Sequence, residues 1–108
     1  MISTGRDRRA EDRFPYLCEV ECRDFSPGRL RISDLSRTGA FIDTLISVRI
    51  GTILQLGFKL GEQSIAVNVE VRHCVPQIGI GVRFLDIKAE DQNFISMILA
   101  EQLSQRAA

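Results

Sequence analysis

Three consecutive segments in the second half of the chain alternate apolar and polar residues with a period of two, and only short turn-forming stretches separate them. Leu54, Leu56, Phe58 and Leu60 alternate with Gln55, Gly57 and Lys59. Ile65, Val67, Val69 and Val71 alternate with Ala66, Asn68, Glu70 and Arg72, and Ile78, Ile80, Val82 and Phe84 with Gly79, Gly81 and Arg83. Side chains of a strand point alternately to its two faces, so each run predicts a strand with one buried side. The intervening Gly61-Glu62-Gln63-Ser64 and Val75-Pro76-Gln77 are short enough to be hairpin loops, which makes the neighbouring strands antiparallel.

The same period governs the first half. Phe14, Tyr16, Cys18, Val20 and Cys22 alternate with Leu17, Glu19, Glu21 and Arg23. Ser26-Pro27-Gly28 predicts a turn, a strand follows over 29–33 with Leu30 and Ile32 inward, and another resumes over 40–44 after a turn from Asp34 to Gly39. Six strands at this spacing predict an all-β fold, a six-stranded antiparallel barrel. From Lys88 the period becomes helical, with Phe94, Ile95, Ile98, Leu99 and Leu103 on one side. Asp86 is a candidate cap, and Glu90 and Asp91 lie where acidic side chains favour a helix N-terminus. The first dozen residues are polar, charged and without a hydrophobic period. The expected organisation is therefore a flexible N-terminal arm over 1–13 and a barrel with a C-terminal helix over 14–108.

At 108 residues the chain has room for one domain. Fourteen basic and fourteen acidic residues cancel, which argues against a surface that grips a nucleic acid polymer or an anionic membrane as a whole, so any anion site must be local. All the basic residues except Lys59 and Lys88 are arginine. Residues 1–13 lack the apolar run of a signal peptide and no stretch approaches a bilayer span, so a cytoplasmic location without membrane insertion is expected. Cys18, Cys22 and Cys74 have no zinc-like spacing and read as reduced thiols, leaving no metal or cofactor expected. His73 and Cys74 are adjacent on a strand and point to opposite faces, a poor arrangement for a nucleophile and its base. With no carboxylate pair or activated nucleophile assignable to one site, an enzyme is not expected and no catalytic residue is assigned.

Two motifs stand out against this background. Arg9 and Arg13 form an RxxxR pair in the arm, and Asp34, Ser36 and Gly39 form a DxSxxG corner between two strands. Guanidinium forks match the O6/N7 edge of guanine and bind phosphate oxygens bidentately. An ionised Asp is acceptor-only and complements the N1–H and N2–H₂ donors of guanine, Ser can donate or accept, and Gly allows a positive φ or close approach of a ligand. Taken alone, the arginines read as a solvated tail, and Asp34 and Ser36 as turn chemistry that can coexist with binding. Arg37 and Arg83 are further basic residues that could add to the anion site, with plain solvent exposure as the ordinary reading.

In this order, with a Gly-Ile-Gly-Val-x-Phe strand over 79–84 and a C-terminal helix, the motifs resemble those of the PilZ domain family over nearly the whole chain. The resemblance implies binding of cyclic di-GMP, a bacterial second messenger. It assigns Arg9 and Arg13 to a guanine edge and a phosphate, Asp34 and Ser36 to the other guanine edge and its neighbours, and Gly39 to the turn. Arg8, directly before the motif, resembles variants of the family that hold an intercalated ligand dimer. The expected function is a cyclic di-GMP receptor or adaptor whose arm becomes ordered on the ligand and which signals to an effector protein of unknown identity. The alternatives are a PilZ-like interaction module that binds no nucleotide and a small barrel that binds RNA or single-stranded DNA. The last is disfavoured by few stacking aromatics, with one Tyr and no Trp. Oligomeric state and ligand stoichiometry are left open by the sequence.

Overall fold

A computed structural model describes residues 14–24 and 30–107. The arm over 1–13, with Arg8, Arg9 and Arg13, and the turn at Ser26-Pro27-Gly28 lie outside the described residues. Among the described residues there are six strands: β1 (Phe14–Cys22), β2 (Leu30–Leu35), β3 (Gly39–Asp43), β4 (Ile53–Leu60), β5 (Gln63–Val75) and β6 (Gly79–Phe84). They close into a barrel in the order β1-β2-β3-β6-β5-β4, with every neighbouring pair antiparallel. The helix α1 (Ala89–Ala107) follows β6.

The barrel consists of two three-stranded meanders, β1-β2-β3 and β4-β5-β6, that seal against each other through the β1–β4 and β3–β6 pairs. Closure gives each of these strands a neighbour on both sides, although the β1–β4 seam is short and pairs only Val20–Cys22 with Leu56–Phe58. The segment 44–52 carries the chain from one meander to the other. It is held by hydrogen bonds from Gly51 N–H to the Val71 carbonyl (2.7 Å) and from Val71 N–H to the Thr52 carbonyl (2.9 Å), and it buries Val48 against the core. At the opposite end α1 inserts Ile95 and Leu99, both almost fully buried. Burial of two such side chains contributes about 1.5–3 kcal/mol each.

The interior follows the periods seen in the sequence. Leu54, Leu56, Phe58 and Leu60 of β4 face Ile65, Val67, Val69 and Val71 of β5, with Ile80, Val82 and Phe84 of β6 completing that half. Asp86, the candidate helix cap, instead accepts from the Asn68 N–H (2.8 Å) and from Asn68 Nδ2 (2.7 Å), and three expectations about the strands change. The β4–β5 connection is a two-residue turn, Gly61-Glu62, because Leu60 already pairs with Gln63. Gly61 has φ 59° at the first central position, where a type II′ turn needs a positive φ that glycine takes without strain. Ile78 lies outside β6 and is exposed, since it belongs to the turn after Val75: its N–H donates to the Val75 carbonyl (2.9 Å). Pro76 and Gln77 are the central residues, and Gln77 adopts φ 67°, where a type II turn usually places glycine.

The third change lies in β2. The strand does not stop at Ser33 but continues through Asp34 and Leu35, because one extra residue enters the ladder: Ile32 pairs with Ile42, and Asp34 with Phe41. Such a bulge shifts the phase of the side chains. Without it, the alternation set by Leu30 and Ile32 would send residue 34 into the core. With Ser33 as the extra residue, Leu35 is buried and Asp34 faces the outer surface only half-covered. A matching bulge at Arg72 of β5, between the Val71–Val82 and His73–Gly81 pairs, turns His73 outward.

Candidate ligand site at the barrel rim

The β2–β3 corner is built around Ser36, which is fully buried although polar. Its N–H donates to the Gly39 carbonyl (2.9 Å). Its hydroxyl donates to the same carbonyl (3.2 Å) and accepts from Thr38 N–H (3.2 Å) and Gly39 N–H (3.1 Å). These bonds satisfy the backbone of a tight turn that would otherwise leave buried donors unpaired. Ser36 therefore organises the corner from inside.

Gly39 is required for a reason different from turn conformation. Its φ is not positive. A Cβ at this position would overlap the carbonyl oxygen of Val82 and crowd the Cα of Arg83 at 3.3 Å, because β3 starts hard against β6 where Gly39 pairs with Arg83. The same junction is closed by Phe84 N–H donating to the Thr38 carbonyl (2.8 Å). The motif glycine is thus the point where the corner touches the other half of the barrel.

Asp34 stands beside this corner, with its Oδ1 shielded from solvent. It pairs with Pro15 of β1 on one side and Phe41 of β3 on the other. Phe41 in turn pairs with Gly81, and Gly81 with His73. Asp34, Phe41, Gly81 and His73 therefore form one row across the outer face of four strands. Gly79 and Gly81 leave that face without side chains of its own, so the Phe41 ring lies over Gly79 and the His73 side chain packs beside Gly81. Arg83 and Arg37 are exposed at the same end. Sequence reading had no means of placing Phe41 or His73 in this row; the Gly79-x-Gly81 spacing was the available signal, since two outward glycines on a strand invite a neighbour to lie across it.

Of the residues expected at the site, the structure brings Asp34, Ser36 and Gly39 together at one rim. Phe14, the first described residue, pairs with Leu35, and Pro15 with Asp34. The segment bearing Arg8, Arg9 and Arg13 is thus joined to the barrel at that rim, although those arginines lie outside the described residues. Among the described residues no three of His, Cys, Asp or Glu converge as a metal site would need, and no helix is long and apolar enough to cross a membrane. Cys18, buried in β1, has its thiol pKa pushed up by burial and further by the nearby Glu19 carboxylate. That keeps it protonated and unreactive.

The sequence matches the PilZ domain model over residues 7–101, a span that contains the arm arginines, the corner, the whole barrel and most of α1. The chain belongs to the PilZ domain family. Among solved structures, the PilZ chain is similar to the Bacillus subtilis inhibitor of motility, MotI/DgrA, with a TM-score of 0.83 and 18% sequence identity over 94% of this chain. It spans about half, 54%, of that protein's length. No curated protein shows a significant match. Membership places the PilZ chain in a class of cyclic di-GMP receptor and adaptor domains.

Proposed function

We propose that the domain is a cyclic di-GMP receptor in which the N-terminal arm closes over the ligand at the β2–β3 rim and the reshaped surface engages an effector protein. The observation that carries this reading is the register of β1 on β2, which joins the arm to the barrel directly beside Asp34 and the Ser36 corner. Arg13 precedes Phe14 by one residue, and Arg9 is five residues away from it, a tether of at most about 17 Å when extended. Either guanidinium can then meet a nucleotide held at Asp34.

In this reading Asp34 accepts from the N1–H and N2–H₂ of one guanine. Arg9 and Arg13 take the O6/N7 edge and phosphate oxygens, and Arg8 contributes to a ligand dimer if two nucleotides are held. Ser36 and Gly39 act by holding the corner in shape, with the Ser36 hydroxyl already engaged by the turn. Ordering of the arm costs conformational entropy, which the charge-assisted contacts to the ligand offset.

Calorimetry with cyclic di-GMP on the intact chain and on a version lacking residues 1–13 tests the proposal. Binding by the intact chain that disappears on removal of the arm supports it; no binding to the folded intact chain at millimolar ligand refutes it. Arg13→Ala is expected to weaken binding by about 1–3 kcal/mol, the scale of one bidentate base contact, and an unchanged affinity contradicts the role of that residue. The second reading, an interaction module without nucleotide, draws on the apolar residues Leu45, Ile50 and Ile78 exposed away from the rim. The same titration separates the two.

A further inference from the structure

The peptide unit joining Arg37 to Thr38 is gripped on both of its edges. Its N–H, from Thr38, donates to the buried Ser36 hydroxyl (3.2 Å). Its carbonyl, from Arg37, accepts from Nε2 of Gln92 in the first turn of α1 (3.0 Å). A peptide unit is planar, so its N–H and C=O cannot turn independently. Rotation that releases the Gln92 bond also pulls the N–H away from Ser36, the residue on which the whole corner is hung.

The helix is well placed to exploit this. Asp91, beside Gln92, is itself buried and accepts from Nε2 of Gln63 (3.0 Å) at the start of β5. Ile95 and Leu99, the next residues on the same side, enter the core. The first turn of α1 thus bridges the β2–β3 corner and the β4–β5 turn, one from each half of the barrel, and its seat is fixed by burial. Gln92 itself is half-buried and its bond to the Arg37 carbonyl is solvent-exposed, so its position is set by the buried residues on either side of it in the helix.

We infer that Gln92 is a positioning residue for the ligand rim, and that occupancy of the rim and docking of α1 are energetically linked through the Arg37–Thr38 peptide. This rests on the cyclic di-GMP reading above. Linkage is reciprocal: if Gln92 makes the rim more competent for ligand, bound ligand must hold the first turns of α1 more tightly against the barrel. The helix then carries the state of the rim to whatever contacts its outer side.

The test is calorimetry with cyclic di-GMP on the intact protein and on Gln92→Glu and Gln92→Lys, with hydrogen exchange of residues 90–99 followed with and without ligand. Glu preserves length and helix propensity but removes the N–H donor; Lys keeps a donor. The expected result is an affinity loss of about three- to tenfold for Gln92→Glu, the scale of one hydrogen bond, with near wild-type affinity for Gln92→Lys and closely similar melting temperatures. Ligand should slow exchange over 90–99 in the wild type and do so less in Gln92→Glu. Equal affinities for wild type and Gln92→Glu, or helix exchange indifferent to ligand in the wild type, would overturn the link. Absence of binding by the wild type would instead refute the receptor reading on which it rests.

Discussion

Gly39→Ala separates two reasons for a glycine at this corner. If the residue served only to let a ligand approach, the substitution would cost affinity and leave the fold intact. The structure points to a different cost. The added methyl would overlap the Val82 carbonyl oxygen, well inside the 3.0 Å that real Cβ atoms keep from such a neighbour, so β3 and β6 must part locally by roughly 1 Å, a strain typical of overpacking at about 1–3 kcal/mol. That movement also stretches the bond from Phe84 N–H to the Thr38 carbonyl, now 2.8 Å, and disturbs the Ser36 bonds, each worth about 0.5–1.5 kcal/mol. The expected loss is about 3 kcal/mol, or roughly 13 °C in melting temperature for a domain of this size. Urea unfolding with the slope held common measures it. Gly57→Ala is the control: nothing closer than the Ile65 carbonyl oxygen at 3.9 Å faces that position, so the change should be neutral or stabilising by up to about 1 kcal/mol. A Gly39→Ala protein within about 0.5 kcal/mol of wild type would refute the packing argument.

Asp34→Ala should weaken cyclic di-GMP binding by about 1–3 kcal/mol and reduce the preference for guanine over adenine, because the paired guanine donors lose their acceptor; titration with both cyclic dinucleotides reads the difference, and equal losses contradict the role. The raised pKa of Cys18 has a definite sign: its stabilising effect is complete below the ordinary thiol range, about 8.5, and is lost as pH rises through the higher folded value, since the unfolded chain releases the proton first. Melting temperature should therefore fall above about pH 9, less steeply in Cys18→Ala, and an identical slope in both would refute that contribution. Gln77→Gly should raise stability by up to about 1 kcal/mol by relieving a positive φ; a clear loss in a urea series would show that the Gln77 side chain contributes more than its backbone costs.

Much of the fold could be read directly. The runs 54–60, 65–71 and 80–84 became the walls of the barrel because period two with one apolar face leaves few other ways to bury those residues. Ile95 and Leu99 were legible as the buried side of a helix for the same reason. The turn at Gln77 was less legible, since Ile78 continues the apolar alternation of β6 by residue type while the backbone has not yet entered the strand. The corner motif was legible as chemistry but not as architecture: nothing local to Ser36 or Gly39 reveals that the first is wholly buried or that the second lies against Val82.

By itself, then, the order of residues determined that this chain forms an antiparallel barrel closed by a helix and that its arm and corner carry groups suited to a guanine nucleotide. Those are properties of local pattern and side-chain type. Which way Asp34 faces, why Gly39 must be glycine and how Gln92 reaches the corner were decided only in three dimensions. The bulge at Ser33 reverses the phase of β2 and turns Asp34 out of the core. The closeness of β3 to β6 and of α1 to Arg37 joins residues separated by more than forty positions in the chain. A local period records which residues are apolar; it carries no information about the ladder partner that adds a residue, nor about the distant backbone that comes to rest against a glycine.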